Sequence, residues 1–398
     1  MIYLLVGAFL LFLSFRYDCC GKTKGRNQLY IVLLAVLVLI VGLRWRVGAD
    51  TTRYLSDFYT DTPYFIDLSL DDLMIGSSPL WQLLMSFVYT IGGKFFWVQL
   101  IESLFVNILF FKYIKKHCQY IYTCVIFYFI TLYFSLNTEA MRAAMGIAVC
   151  LYANDYMIDR KWIKAYLLVA IGFMFHPQVV VVALTPFFLS LRLNRKSILI
   201  MILSFIVAYI MQVTIGDYLF LLENMGDEDI GNKLASYGEN SDYIENRHLR
   251  WQIVTQYPLI IYSIIVGYFY KSRLPDKLLR LQPFFILGII YQIMSLQVFI
   301  FYRLADIYNI YLFLFISYAV VELVNEDKLL TKQVALLRTS IIVMPLIISL
   351  SYFVLISKFK VRYIPYTSIF NREIVKEREL QVHSESMSNN SDANIRQY

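Results

Sequence analysis

Charge is what this chain has least of. Only 16% of its 398 residues are Asp, Glu, Lys or Arg, against about 25% in ordinary soluble domains. Hydrophobic residues make up 59% and aromatic ones 17%, which excludes a soluble globular protein. Period-two alternation in segments of about ten residues is missing too, which excludes a membrane barrel. The five cysteines, Cys19, Cys20, Cys118, Cys124 and Cys150, form no CxxC pair and show no metal-ligand spacing. They read as small apolar fillers or loop thiols, not as a disulfide framework. There is no Walker, Rossmann or zincin motif and no repeat with a period of about 20–50 residues. The net charge of +7 comes largely from basic residues in short loops between apolar runs. That is the orientation signal of a membrane protein, so nucleic acid is not an expected partner.

What the chain does have is a succession of long apolar runs, and they predict an all-α, polytopic transmembrane bundle of about twelve spans. The first, Ile2–Phe15, has no basic start and no small-residue cleavage site, so it is expected to be a retained helix and not a signal peptide. The loop after it (Arg16, Lys22, Lys24, Arg26) is basic and belongs to the cytoplasm. Leu29–Leu43 then leads outward to Arg44–Tyr54, and a polar external loop runs over about 44–78.

The next run, Pro79–Ile91, is short for a full crossing of roughly 20 residues and reads as a re-entrant helix. Alternating crossings follow at Phe95–Phe111, Tyr120–Leu136, Glu139–Met157, Trp162–Phe175, Val179–Leu191 and Ser197–Val213. Basic loops mark their inner ends. Residues 214–250 are acidic and suit a second external loop. The last runs are Trp251–Tyr270, Leu281–Ile300, Leu304–Val324 and Val334–Ser357. Residues 1–357 thus form one membrane domain. The polar tail, 358–398, comes out on the external side on this count, although Lys358, Lys360, Arg362, Arg372 and Lys376 argue the other way. From about Glu377 the Ser/Asn-rich sequence is expected to be disordered.

On this map Arg44, Arg46, Arg53, Arg142, His176 and Arg303 all lie near the external boundary, where arginine is not expected. A membrane-edge charge costs about 2.5–3.5 kcal/mol on insertion scales, so each is a functional candidate. The guanidinium fork matches phosphate oxygens, and such a cluster suits a lipid-linked phosphate or pyrophosphate whose headgroup lies at that depth. Blander readings stand beside this one. Arg44 can snorkel from a helix end, and Arg46 and Arg53 can pair with Asp50 or Asp57. Arg142 can be neutralised by Glu139, His176 can cap carbonyls, and Arg303 can pair with Asp306. Arg142 is the hardest to dismiss, because Ala140, Ala144 and Ala148 put small residues on one face of its helix and permit close packing.

These segments resemble the EpsG family of Wzy-like polysaccharide polymerases. Leu43-Arg44-Trp45-Arg46-Val47-Gly48-Ala49-Asp50 with Tyr54 is similar to the family's RY-x-G-x-D…Y signature. Met141-Arg142-Ala143-Ala144-Met145-Gly146-Ile147-Ala148 resembles its R-Q-x-[IL]-A helix start, with Ala143 in place of glutamine. Phe175-His176-Pro177-Gln178 resembles the F-H-x-S helix end without its serine. Tyr302-Arg303-Leu304 resembles the late R-[LF]…Y element, and Ile364-Pro365-Tyr366 the closing P-Y.

The resemblance implies a GT-C-like architecture in the bacterial cytoplasmic membrane, with the active site facing outward. It implies transfer of a growing glycan from undecaprenyl pyrophosphate to a hydroxyl of an incoming lipid-linked repeat unit, without a metal or cofactor. Within that reading Arg44, Arg46, Arg53, Arg142 and Arg303 bind pyrophosphate and Tyr54 contacts sugar. His176 is the first choice of base and Asp50 the second. Lipid-linked oligosaccharide and membrane lipid are the expected partners, with a flippase and a chain-length regulator beside them. The main rival is a secondary transporter or flippase for the same lipid-linked glycan, which the missing internal repeat disfavours.

Overall fold

The computed structural model describes residues 2–48, 50–69, 73, 78–223, 264, 274–298, 301–327 and 361–380. Among them the chain is all-helical, with no strand beyond isolated bridges at Arg44, Ser368 and Asn371. The helices are α1 Ile2–Leu13, α2 Arg26–Gly42, α3 Thr51–Thr60, α4 Pro79–Thr90, α5 Phe95–His117, α6 Ile121–Thr131, α7 Met141–Ile158, α8 Trp162–Phe175, α9 Arg195–Glu223, α10 Gln282–Ser295 and α11 Phe301–Asp327. Among the described residues four stretches, Ile2–Cys19, Phe95–His117, Arg195–Gln212 and Phe301–Glu322, are long and apolar enough to cross a membrane, and several shorter apolar helices accompany them. Two of the expected runs, 251–270 (apart from Ile264) and 334–357, and most of the 214–250 loop lie outside the described residues.

Several elements differ from the sequence expectation. The 44–78 stretch is not a plain loop, because α3 forms within it and buries Thr51, Tyr54 and Phe58 on one face. Tyr120–Leu136 is not one helix: α6 stops at Thr131 and the chain winds more widely through Ser135–Glu139 before α7. Where Val179–Leu191 was expected, Pro177–Phe188 winds as a tight 3-10 helix. That winding is unusual over such a length. α9 runs to Glu223, well into the expected 214–250 loop, since the apolar run Tyr218-Leu219-Phe220-Leu221-Leu222 lets the helix continue. α4 has twelve residues, hence a length of about 18 Å, against a hydrocarbon core of about 30 Å.

Close approaches between helices are set by small residues. A Cβ on Gly146 of α7 would stand 2.8 Å from the Gly172 carbonyl of α8, and one on Gly288 of α10 would stand 2.5 Å from Leu312 of α11. Polar side chains tie the helices across apolar surface: Tyr30 donates to the Phe111 carbonyl at 2.9 Å and Ser103 to Val38 at 3.0 Å. The two pairs run in opposite order along the chain, so α2 and α5 are antiparallel. Inside the bundle, unlike in water, a polar group without such a partner has nothing else to bond to.

The contacts sort the loops into two ends. At one end Asp18 accepts from the Thr123 backbone at 2.7 Å, Asp155 holds Lys116 at 2.6 Å, and Arg280 meets Asp159 at 2.7 Å. Asp18, Lys116, Asp159 and Arg280 belong to segments assigned to the cytoplasm from sequence, and Thr123 and Asp155 lie at the adjoining ends of two crossings. At the other end residues 361–380 fold over the stretch after α2. Trp45 N–H donates to the Thr367 carbonyl at 2.9 Å, Ile369 N–H to Leu43 at 2.9 Å and Gly48 N–H to Arg362 at 3.2 Å. The start of the tail therefore shares a face with Arg44–Tyr54. Order extends past Glu377, since Arg378 is buried and Glu379 is ion-paired; residues beyond 380 lie outside those described.

Candidate active site at one end of the bundle

Arg44 and Arg46 come first in the chain, and both are turned toward the protein. Arg44 is 1% exposed. Its Nε donates to the Val47 carbonyl at 3.2 Å and to Thr51 Oγ1 at 3.4 Å, Nη1 donates to the Val41 carbonyl, and Nη2 reaches Met141 Sδ at 3.2 Å. The guanidinium thus closes the chain reversal after α2, with the buried Glu102 nearby. A group so enclosed meets the protein on every side that the described residues show. Arg46 pairs with Glu379 at 2.7 Å, and its carbonyl accepts from Arg378 at 3.1 Å. It is tied to the tail, although its Nε is buried without a partner among the described residues.

The reversal rests on Gly48. Its φ is +97°, and a Cβ there would lie 2.6 Å from Thr138 Cβ. Glycine is the residue that enters this region without strain. The turn delivers Asp50 and then α3, which carries Arg53 and Tyr54.

Arg142 sits in the first turn of α7, facing Tyr54 with its guanidinium 5.7 Å from the ring centre. Its Nε is buried and meets no acceptor among the described residues. The positive end of a helix dipole is a poor place for a cation and a good one for a bound anion. Arg142 and Arg303, the latter exposed in the first turn of α11, are the two cations that act on His176. Gln178, beside His176, donates to the Arg303 carbonyl at 3.5 Å, so the start of the 3-10 segment touches α11.

His176 ends α8, and its Nδ1 accepts the Gln178 backbone N–H at 3.2 Å. With Nδ1 occupied as an acceptor, the neutral ring carries its proton on Nε2. Burial first, then Arg142 and Arg303, lowers the imidazole to about 4, so the ring is neutral at pH 7.

Asp50 keeps an exposed surface but stands in a shell of protein and charge. Loss of water is the main reason its carboxyl is raised to about 6; Glu139 adds to the rise, and Arg303, Arg53 and Arg362 oppose it.

Glu139 is anchored by Tyr363 Oη at 2.7 Å and by Arg362 at 3.3 Å. Arg362 was counted from sequence only as a charge against an outward tail, and its place in this group was missed. The signal at hand was its position just before Ile364-Pro365-Tyr366.

A cavity of about 290 Å³ opens beside Arg142, between α3 and α4. Arg53, Tyr54 and Arg142 line it, and so do Asp57, Asp61, Trp81 and Gln82, none of which was singled out as a site residue from sequence. Arg53, Arg142 and Arg303 are thus brought to one end together with Asp50, Tyr54 and His176, whereas Arg44 is enclosed and Arg46 is paired with Glu379.

No curated protein and no solved structure matches the chain. The model of the EpsG family matches residues 27–368, which take in Asp50, Arg53, Tyr54, Arg142, His176 and Arg303 and the lining of the cavity. The chain therefore belongs to the EpsG family.

Proposed function

We propose that this protein is a membrane glycosyltransferase that polymerises a polysaccharide. It would transfer the growing glycan from undecaprenyl pyrophosphate to a hydroxyl of a lipid-linked repeat unit at the outer face of the cytoplasmic membrane. The reading is carried by one observation. Arg142 and Arg303, brought from α7 and α11, flank His176 at the end of the bundle that also holds Asp50.

In the reaction the bond between the donor sugar's C1 and the pyrophosphate oxygen breaks, and the acceptor oxygen forms the new bond to C1. Charge grows on the leaving diphosphate. Arg142, Arg303 and the N-terminus of α7 are placed to stabilise it, each worth more in a site shielded from water. His176, with its proton on Nε2, suits donation to a phosphate oxygen better than abstraction of a proton. Asp50, its carboxyl raised to about 6, is ionised at pH 7 and close to the range that general bases favour. This assignment reverses the order expected from sequence: Asp50 takes the acceptor's proton and His176 holds the leaving group. Arg53, at the cavity, is a further cation for the diphosphate or the first sugar.

The test is polymer synthesis by the full-length protein in membranes supplied with its lipid-linked repeat unit. Wild type should give a ladder of products. Arg142→Lys should lose at least about tenfold in rate, because an ammonium cannot reproduce the two-pronged contact. A full ladder from Arg142→Lys would remove this site from the reaction. In cells lacking the protein, single repeat units should accumulate on lipid at the outer face, whereas units retained at the inner face would favour the flippase reading.

A further inference from the structure

The cavity between α3 and α4 has chemistry that a diphosphate does not need. Phosphate oxygens accept hydrogen bonds, yet this space is lined by the carboxylates of Asp57 and Asp61, the amide of Gln82 and the rings of Trp81 and Tyr54, with Arg142 as one wall. Carboxylates repel a phosphate and accept from hydroxyl groups. An aromatic pair supplies apolar surface for the C–H faces of a sugar ring. Trp81 and Tyr54 hold each other with ring centres 5.4 Å apart, and both are buried, so the platform is fixed before any ligand arrives. Two carboxylates offset Arg53 and Arg142, which leaves the lining without a strong net charge. The volume of about 290 Å³ is at the small end for ligand sites, enough for one pyranose ring.

We propose that this cavity is a monosaccharide subsite, and that it takes the sugar joined directly to the diphosphate gripped at Arg142. The inference rests on the polymerase reading, since Arg142 is then shared between the diphosphate and the first ring. Asp61 and Gln82 bond hydroxyls of that ring, and Trp81 and Tyr54 pack against it.

Full-length protein in lipid nanodiscs would be titrated with undecaprenyl pyrophosphate, bare or carrying one glucose, galactose or N-acetylglucosamine. Wild type should bind at least one sugar-bearing lipid about tenfold more tightly than the bare lipid, the worth of two hydrogen bonds. The double variant Asp61→Asn/Gln82→Leu should lose most of that preference, keeping only what Trp81 and Tyr54 contribute by packing. Retained bare-lipid binding shows that this variant is folded. Equal binding of all forms by wild type, or an undiminished sugar preference in the double variant, would overturn the subsite. Arg142→Ala probes the underlying reading separately and should weaken bare and sugar-bearing lipids alike. If it leaves both unchanged while the double variant still loses the sugar preference, the diphosphate assignment fails and the sugar site stands.

Discussion

Arginine is one residue type doing two jobs in this protein. Arg44 is enclosed and satisfied by carbonyls, whereas Arg142 keeps a buried N–H without an acceptor. Their neighbours in sequence look equally apolar, so the difference lies in what the fold brings to each guanidinium. For His176 the donor role leads to a graded outcome. Gln carries an N–H₂ at a reach similar to Nε2, so His176→Gln should keep clearly more polymerisation than His176→Ala in the same membranes. Equal and complete loss in both would return His176 to the role of base.

Asp50 leads to a dependence on pH. Its folded carboxyl titrates at about 6 instead of 3.8, so the fold holds the proton more tightly than the unfolded chain does. Ionising it therefore costs stability, a cost that begins as pH rises above 3.8 and is complete above about 6. The rate should fall as pH drops through 6, since the protonated acid cannot accept a proton. Asp50→Asn should abolish turnover yet melt no lower than wild type at pH 7.5, a trade between activity and stability. A variant that keeps turnover would exclude Asp50 as base.

At the scale of the element, the reversal between α2 and α3 is the joint on which the site turns. It is fixed by Gly48, by the Arg44 guanidinium and by the tail, whose Arg378 donates to the Arg46 carbonyl at 3.1 Å and to the Val361 carbonyl at 3.1 Å. Gly48→Ala should cost about 1–3 kcal/mol from backbone strain alone, and contact with Thr138 adds to that. A lower melting temperature together with reduced polymerisation is expected. Wild-type values for both would mean that the turn does not position Asp50. The helical content of these stretches could be read from their apolar runs. The wide turn at Ser135–Glu139 and the 3-10 winding of Pro177–Phe188 could not, because both answer to what packs across them. The 3-10 segment buries Val179, Val182 and Thr185, and Thr185 bonds Tyr308 of α11 at 2.9 Å.

For the whole molecule, the two ends make orientation a single measurable choice. In a cysteine-free background, Arg372→Cys should react with a membrane-impermeant maleimide on intact cells and Lys161→Cys should not. The opposite pattern would turn the site to the cytoplasm and end the proposed reaction there.

Composition and the apolar runs by themselves determined that this chain is an α-helical membrane protein, because the cost of burying unpaired backbone in hydrocarbon leaves few other solutions. The order of its short motifs was enough to place it in its family. Which arginines face a shared space was decided only by tertiary structure. Guanidinium groups at a membrane edge must find acceptors, and whether these are carbonyls of the same fold or oxygens of a ligand depends on helices that meet from distant parts of the chain. The same holds for the cavity at Trp81, where the short helix α4 becomes one wall.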